Sequence, residues 1–280
     1  MNSKFVAALV AALLQGCLWA QTPHNPEETG RMAPPAASSE GAGIIRAELG
    51  GFSNFVNNGY GTWDGGSGRF TFLGAKRFTP SFGFAMQKRP YGSQSTVGVD
   101  SYISVNKWFY MVGGIGGSPE GTAELFPKLQ YGVTGLITVP RLKGVVATLG
   151  ASQIHGTKGA YGRVLTAGAM YYHGRAIWSG SLSFNRTYPG AVPSKSGTLG
   201  VQYGTEKKYW IGGGMGGGRV AYNTVALTPL DVRSYSFGPN FFFQKWITKK
   251  WGVIVKYGYQ DYLNFYQGHG VEAKVFFEVP

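Results

Sequence analysis

The sequence holds a single cysteine, Cys17, only four histidines, and charged residues at 14%. Each shortage excludes something. One cysteine builds no disulfide framework. The histidines, His24, His155, His173 and His269, are scattered with no cysteine partner and give no metal-ligand spacing, so neither metal nor cofactor is expected. Past the first twenty residues no useful apolar periodicity of 3.6 appears, which excludes a helical bundle. The one apolar run, Phe5–Leu14, falls short of the about 20 residues that a membrane-spanning helix needs. Acidic residues number 13 against 26 Lys and Arg. That basic balance suits a nucleic-acid partner, but no recognition motif accompanies it and the leader exports the chain, so none is expected.

Glycine and aromatics are plentiful, at 45 glycines and 15% Phe, Tyr and Trp. Such a composition is unusual for a soluble enzyme. Lys4, the apolar run after it and the Leu18-Trp19-Ala20 site form a signal peptide over residues 1–20. Cys17 has two readings: removal with the leader, which the Ala20 site favours, or acylation in a loose lipoprotein pattern with a poorly fitting Gln15. Residues 21–41 carry Pro23, Pro26, Pro34 and Pro35 without periodicity and read as a flexible spacer. Residues 42–280 suffice for one domain.

That domain alternates with period two. Val271, Ala273, Val275, Phe277 and Val279 oppose Glu272, Lys274, Phe276 and Glu278. Val97, Val99, Ser101, Ile103 and Val105 oppose Gly98, Asp100, Tyr102 and Ser104. About fourteen such strands follow one another. The polar faces cannot form a soluble core, and the apolar faces are too extensive to leave wet. Connections alternate as well. Thr79–Ser81, Lys107, Pro140–Lys143, His173–Arg175, Thr205–Lys208 and Ile247–Lys250 are short, whereas Val56–Gly68, Gly116–Leu125, Thr187–Ser196 and Ala221–Val232 read as long loops. This predicts an all-β fold: a single antiparallel transmembrane β-barrel of about fourteen strands (12–16), with short periplasmic turns and longer extracellular loops, in the outer membrane of a Gram-negative bacterium. Trp108, Trp178, Trp210, Trp246 and Trp251 lie beside the short connections and are expected to form the membrane girdle, with lysine and arginine just beyond.

Several segments carry a family likeness: Phe84–Tyr91 followed by Val99–Trp108, Leu129–Val133, and Ser234–Pro239 running through Trp246–Val253 to the last hairpin. Over essentially all of 42–280 the layout resembles the YaiO family of outer-membrane β-barrels. The resemblance implies a barrel that the insertion machinery places among outer-membrane lipids, and work with surface polysaccharide. The chain departs from the usual aromatic end of such barrels, since Phe276 and Phe277 precede Glu278, Val279 and Pro280.

Closure sets the last strand beside the first, so Arg46, Glu48, Glu272 and Lys274 are expected to form an ion network across that seam. By parity Arg69, Asp100, Tyr102, Lys128, Gln130, Lys256 and Gln260 are further lumen-lining candidates, giving a mildly basic interior that favours anions. Glycine-rich Ile211–Arg219 is no nucleotide loop, because no helix follows it. His155 near Ser152 and His269 near Asp261 give no complete nucleophile, base and orienter, and no catalytic residue is assigned. Three functional readings follow. The leading one is a non-enzymatic narrow pore or export accessory for surface polysaccharide or anionic solutes. The others are a plugged structural or interaction barrel and a lipid-modifying enzyme at the rim.

Overall fold

The computed structural model describes residues 44–73, 77–90, 92–119, 127–156, 160–188, 190–220, 234–263 and 265–279. The leader, the spacer, Cys17, His24, residues 120–125 and residues 221–232 lie outside the described residues. Fourteen strands follow in order: β1 Ile45–Val56, β2 Gly61–Phe72, β3 Phe78–Arg89, β4 Gly92–Ser104, β5 Phe109–Gly117, β6 Leu129–Thr138, β7 Val145–His155, β8 Tyr161–His173, β9 Ala176–Tyr188, β10 Val192–Thr205, β11 Tyr209–Val220, β12 Ser234–Trp246, β13 Trp251–Tyr262 and β14 Tyr266–Val279. Every strand pairs antiparallel with its sequence neighbours, and β14 returns to β1, closing the barrel.

Period-two alternation decides which side chains face where. On β14, Val271, Val275, Phe277 and Val279 are exposed on the outside while Glu272, Phe276 and Glu278 are buried inside. The outer band includes Leu49, Leu149, Leu165, Leu182, Leu199 and Phe241, each about half exposed or more. Water would not tolerate so much apolar surface, whereas acyl chains do. This band is the lipid-facing belt of a membrane-spanning barrel.

Both chain ends of the barrel meet at one rim, where Ile45 pairs with Val279. The turns at that rim are short, and the two longest gaps between strands, 118–128 and 221–233, lie at the other. Two segments expected as loops are strand instead. Gly61–Gly68 of the Val56–Gly68 segment belongs to β2, and most of Thr187–Ser196 belongs to β9 and β10. The turn-like composition misleads there because glycine serves packing. A Cβ on Gly65 would overlap the Phe52 ring and the Met86 carbonyl oxygen. The actual turn is Asn57–Tyr60, with Asn58 (φ 55°) and Gly59 (φ 81°) both left-handed, as a tight hairpin demands. Thr79–Ser81, expected as a turn, lies in β3. Pro80 falls just past the last β2 pair, Thr71 with Ser81, where a missing N–H matters little on that side.

The short-turn end of the interior is filled. Tyr102, Tyr110, Val112, Leu136, Val146, Met170, Ile177, Trp210, Phe242, Trp246, Ile254 and Phe276 form one buried apolar cluster there. A smaller cluster of Val56, Trp63, Tyr262 and Tyr266 lines one side of the opposite rim.

Candidate functional site

The barrel interior is the candidate site, and its two walls differ. The seam wall, built by β13, β14, β1 and β2 with β4 beyond, collects the charged side chains. Register places Arg46 opposite Glu278, so Glu278, which sequence reasoning left off the site, is the cross-seam partner. The Arg46 guanidinium donates to Glu48 at 2.9 Å and to Glu278 at 3.4 Å, and lies 4.1 Å over the Phe276 ring. Lys207 reaches Glu278 from the short-turn rim. Further along the seam Glu272 binds both Lys256 and Lys274 and accepts from Ser67 at 3.4 Å. Of the four charges expected to form one network, Arg46 pairs with Glu48 and Lys274 with Glu272, while Glu48 lies opposite Phe276 on β14 and Arg69 on β2. Arg69 and Asp100, on β2 and β4, pair at 2.6 Å with both groups largely buried. These cations each lie against a carboxylate, which offsets the cost of burying them.

Of the remaining lumen candidates, Tyr102 stacks on Tyr110 with ring centroids 5.7 Å apart, inside the apolar cluster. Gln130 is buried inward, and Gln260 is half-buried with its amide donating to the Tyr262 hydroxyl at 2.8 Å. Lys128 immediately precedes β6 and is exposed at the rim, on the parity of inward Gln130. Arg89 was missed. It is buried at the loop rim, 3.9 Å over the Trp63 ring and bonded to Gln87 at 3.0 Å. Its alternation with Gln87 on β3 was the available signal.

The far wall, β7 to β11, is uncharged. Its inward positions are Thr148, Ser152, Thr166, Ser181, Ser183, Asn185, Ser196 and Thr198 with glycines between them, and most are half-buried. The hydroxyls pair across strands, Thr166 with Ser183 at 3.1 Å and Ser181 with Thr198 at 2.7 Å. Such a wall offers hydrogen bonds without fixed charge.

The tryptophans divide. Trp108 and Trp178 are exposed on the outside near the short-turn rim, and Trp251 stacks outside on Phe277 with centroids 6.3 Å apart. Trp210 and Trp246 are corrections: both are buried in the apolar cluster, not in the girdle. Trp246 meets Phe276 edge-on at 5.1 Å. An indole on the inward parity of its strand has no route to the lipid headgroups. Among the described residues the histidines assemble no triad. His155 lies outside, stacked between Tyr131 and Tyr161, whereas Ser152 points inward on the same strand. His269 is bonded to the Tyr257 hydroxyl at 2.8 Å on the outer face, and Asp261 accepts from Tyr259 and Gln267. Among the described residues no His, Cys, Asp and Glu group suits a metal ion.

A family profile described as the YaiO membrane beta barrel domain matches residues 46–223. Among solved structures the fold is similar to a bacterial polysaccharide outer membrane secretin, at TM-score 0.56 and 5% identity over 84% of this chain and 98% of that one. It is also similar to the Acinetobacter baumannii outer membrane protein Omp33, at TM-score 0.50 and 12% identity over 84% and 99% of the two chains. At these identities the likeness shows the fold. A search of curated proteins finds no match.

Proposed function

This chain belongs to the YaiO family of outer-membrane β-barrels, and on that premise we propose that it is a non-enzymatic, constricted channel or export accessory for a hydroxyl-rich solute, with surface polysaccharide as the class. The carrying observation is the contrast inside the barrel. A half-buried hydroxyl wall, Thr166, Ser181, Ser183, Ser196 and Thr198, faces a wall that carries the ion pairs. Hydroxyls spaced along a wall match the alternating donors and acceptors of a sugar chain, and neutralised charges do not hold an ion too tightly to leave. The apolar cluster at the periplasmic end is the constriction.

The size of the buried cluster favours a second reading, a plugged interaction barrel. Planar-bilayer recording decides between them. Under the channel reading the purified barrel gives small conductance steps, and Tyr102→Ala with Phe276→Ala enlarges them. Silence in both proteins, each folded by gel mobility, selects the plugged barrel. Slowing of the enlarged pore by added polysaccharide fragments tests the solute class.

A further inference from the structure

Strands β6 to β12 carry no aspartate or glutamate, yet the outer face of β8 to β11 gathers Arg163, Arg186, Lys195 and Arg219, all exposed. Arg163 and Arg186 are direct cross-strand partners. Lys195 pairs with Phe184, two residues from Arg186, and Arg219 lies one residue beyond Gly218, the partner of Ser196, and so beside Lys195. Like charges set opposite each other on one face destabilise a sheet unless an anion joins them. Immediately below, toward the bilayer centre, the same face turns to the exposed Leu165, Phe184 and Leu199. The cations thus sit where hydrocarbon gives way to headgroups, at the extracellular rim.

We propose that this patch binds the phosphates of the outer-leaflet glycolipid, a diphosphorylated, multiply acylated glucosamine lipid (lipid A). Guanidinium forks suit phosphate oxygens, and the leucines and phenylalanine below supply a surface for its acyl chains. The Arg163 guanidinium lies 5.8 Å from the Tyr161 ring centroid, and Tyr161 stacks on Tyr188 at 4.4 Å, so aromatic rings back one end of the patch. A glycolipid offers phosphate and hydrocarbon at the spacing of one headgroup. Free phosphate offers only the first, and a monophosphate phospholipid offers too little charge to bridge four cations.

The test uses the full barrel in neutral detergent, titrated with diphosphorylated lipid A, enzymatically dephosphorylated lipid A, phosphatidylglycerol or inorganic phosphate. Unfolding temperature and native mass spectrometry provide the readouts. The expected result is a rise in unfolding temperature and a retained lipid adduct with the diphosphorylated form alone. The Arg163→Gln, Arg186→Gln, Lys195→Gln, Arg219→Gln variant should bind it about tenfold more weakly or worse. Neutralising Arg141 and Lys143 at the opposite rim should leave binding unchanged. Equal gain from dephosphorylated lipid, phosphatidylglycerol or inorganic phosphate overturns the proposal, as does undiminished binding by the fourfold variant. Should that variant not fold, the four-ligand comparison on the native barrel decides alone.

Discussion

The two interior walls solve different folding problems. The far wall is a run of hairpins, and β8 and β9 are joined by Gly174 and Arg175 alone. Tight turns fix the register of such neighbours, so small side chains suffice inside. The seam joins strands from opposite ends of the domain, and its Arg46–Glu278 contact spans 232 residues of sequence. No turn dictates that register. A slip of one residue would turn either Arg46 and Glu48 or Glu272 and Lys274 out to lipid, at up to about 2–4 kcal/mol for a lysine at the midplane. Charge is therefore concentrated where chain connectivity gives no instruction. The lesson is that paired interior charges act as a register device as much as a lining.

The largest break in that comparison is expected at Glu272. Replacing it with Leu leaves Lys256 and Lys274 buried beside each other without their shared carboxylate. Removing one member of a buried ion cluster costs about 3–5 kcal/mol. Urea titration of the refolded barrel should show the loss, and refolding yield should fall. An unchanged urea midpoint would mean that the two lysines find water instead, and that the seam is wet. For the same reason Lys256→Glu is expected to act on folding before it alters ion selectivity, since it sets a second carboxylate against Glu272.

Glycine contrasts provide the next effect. Gly65→Ala on β2 forces its new carbon against the Phe52 ring and the Met86 carbonyl, while Gly162→Ala on β8 meets nothing within 4 Å. Overpacking of the first kind costs about 1–3 kcal/mol, and the second should stay within roughly 0.5 kcal/mol of the parent in the same titration. Equal effects would show that the seam wall gives way as easily as the far wall.

Much of this was legible in the sequence. Alternation at Val97–Val105 and Val271–Val279 carries the strand count, the closure and the lipid-facing band, because the side-chain period is a geometric necessity. Three things were not legible, each for a physical reason. Gly61–Gly68 hides a strand because its bulk comes from Phe52, Leu49 and Phe84 on neighbouring strands. The Asn58-Gly59 pair was the signal for the tight turn before it. Trp210 and Trp246 were misplaced because their strands lack polar contrast. Gly212 and Gly214 follow the first, and aromatics at Phe241, Phe242 and Phe243 precede the second, so local composition does not mark the inner face. Pairing within the interior depends on register, which gave Arg46 to Glu278 and set Glu272 between two lysines.

The smallest effect tests the far wall directly. Ser181 and Thr198 share one hydrogen bond at 2.7 Å, half-buried and remote from any charge pair. Ser181→Ala and Thr198→Val should each cost about 0.5–1.5 kcal/mol, and the double variant little more than either, since both delete the same bond. The matching cycle on Arg69 and Asp100 should give a larger coupling, up to about 3 kcal/mol, because both groups are charged and largely buried. If the hydroxyl pair couples as strongly as the ion pair, the far wall is not a row of locally determined hairpins. It would then hold register as the seam does, and the division of labour between the walls would fail.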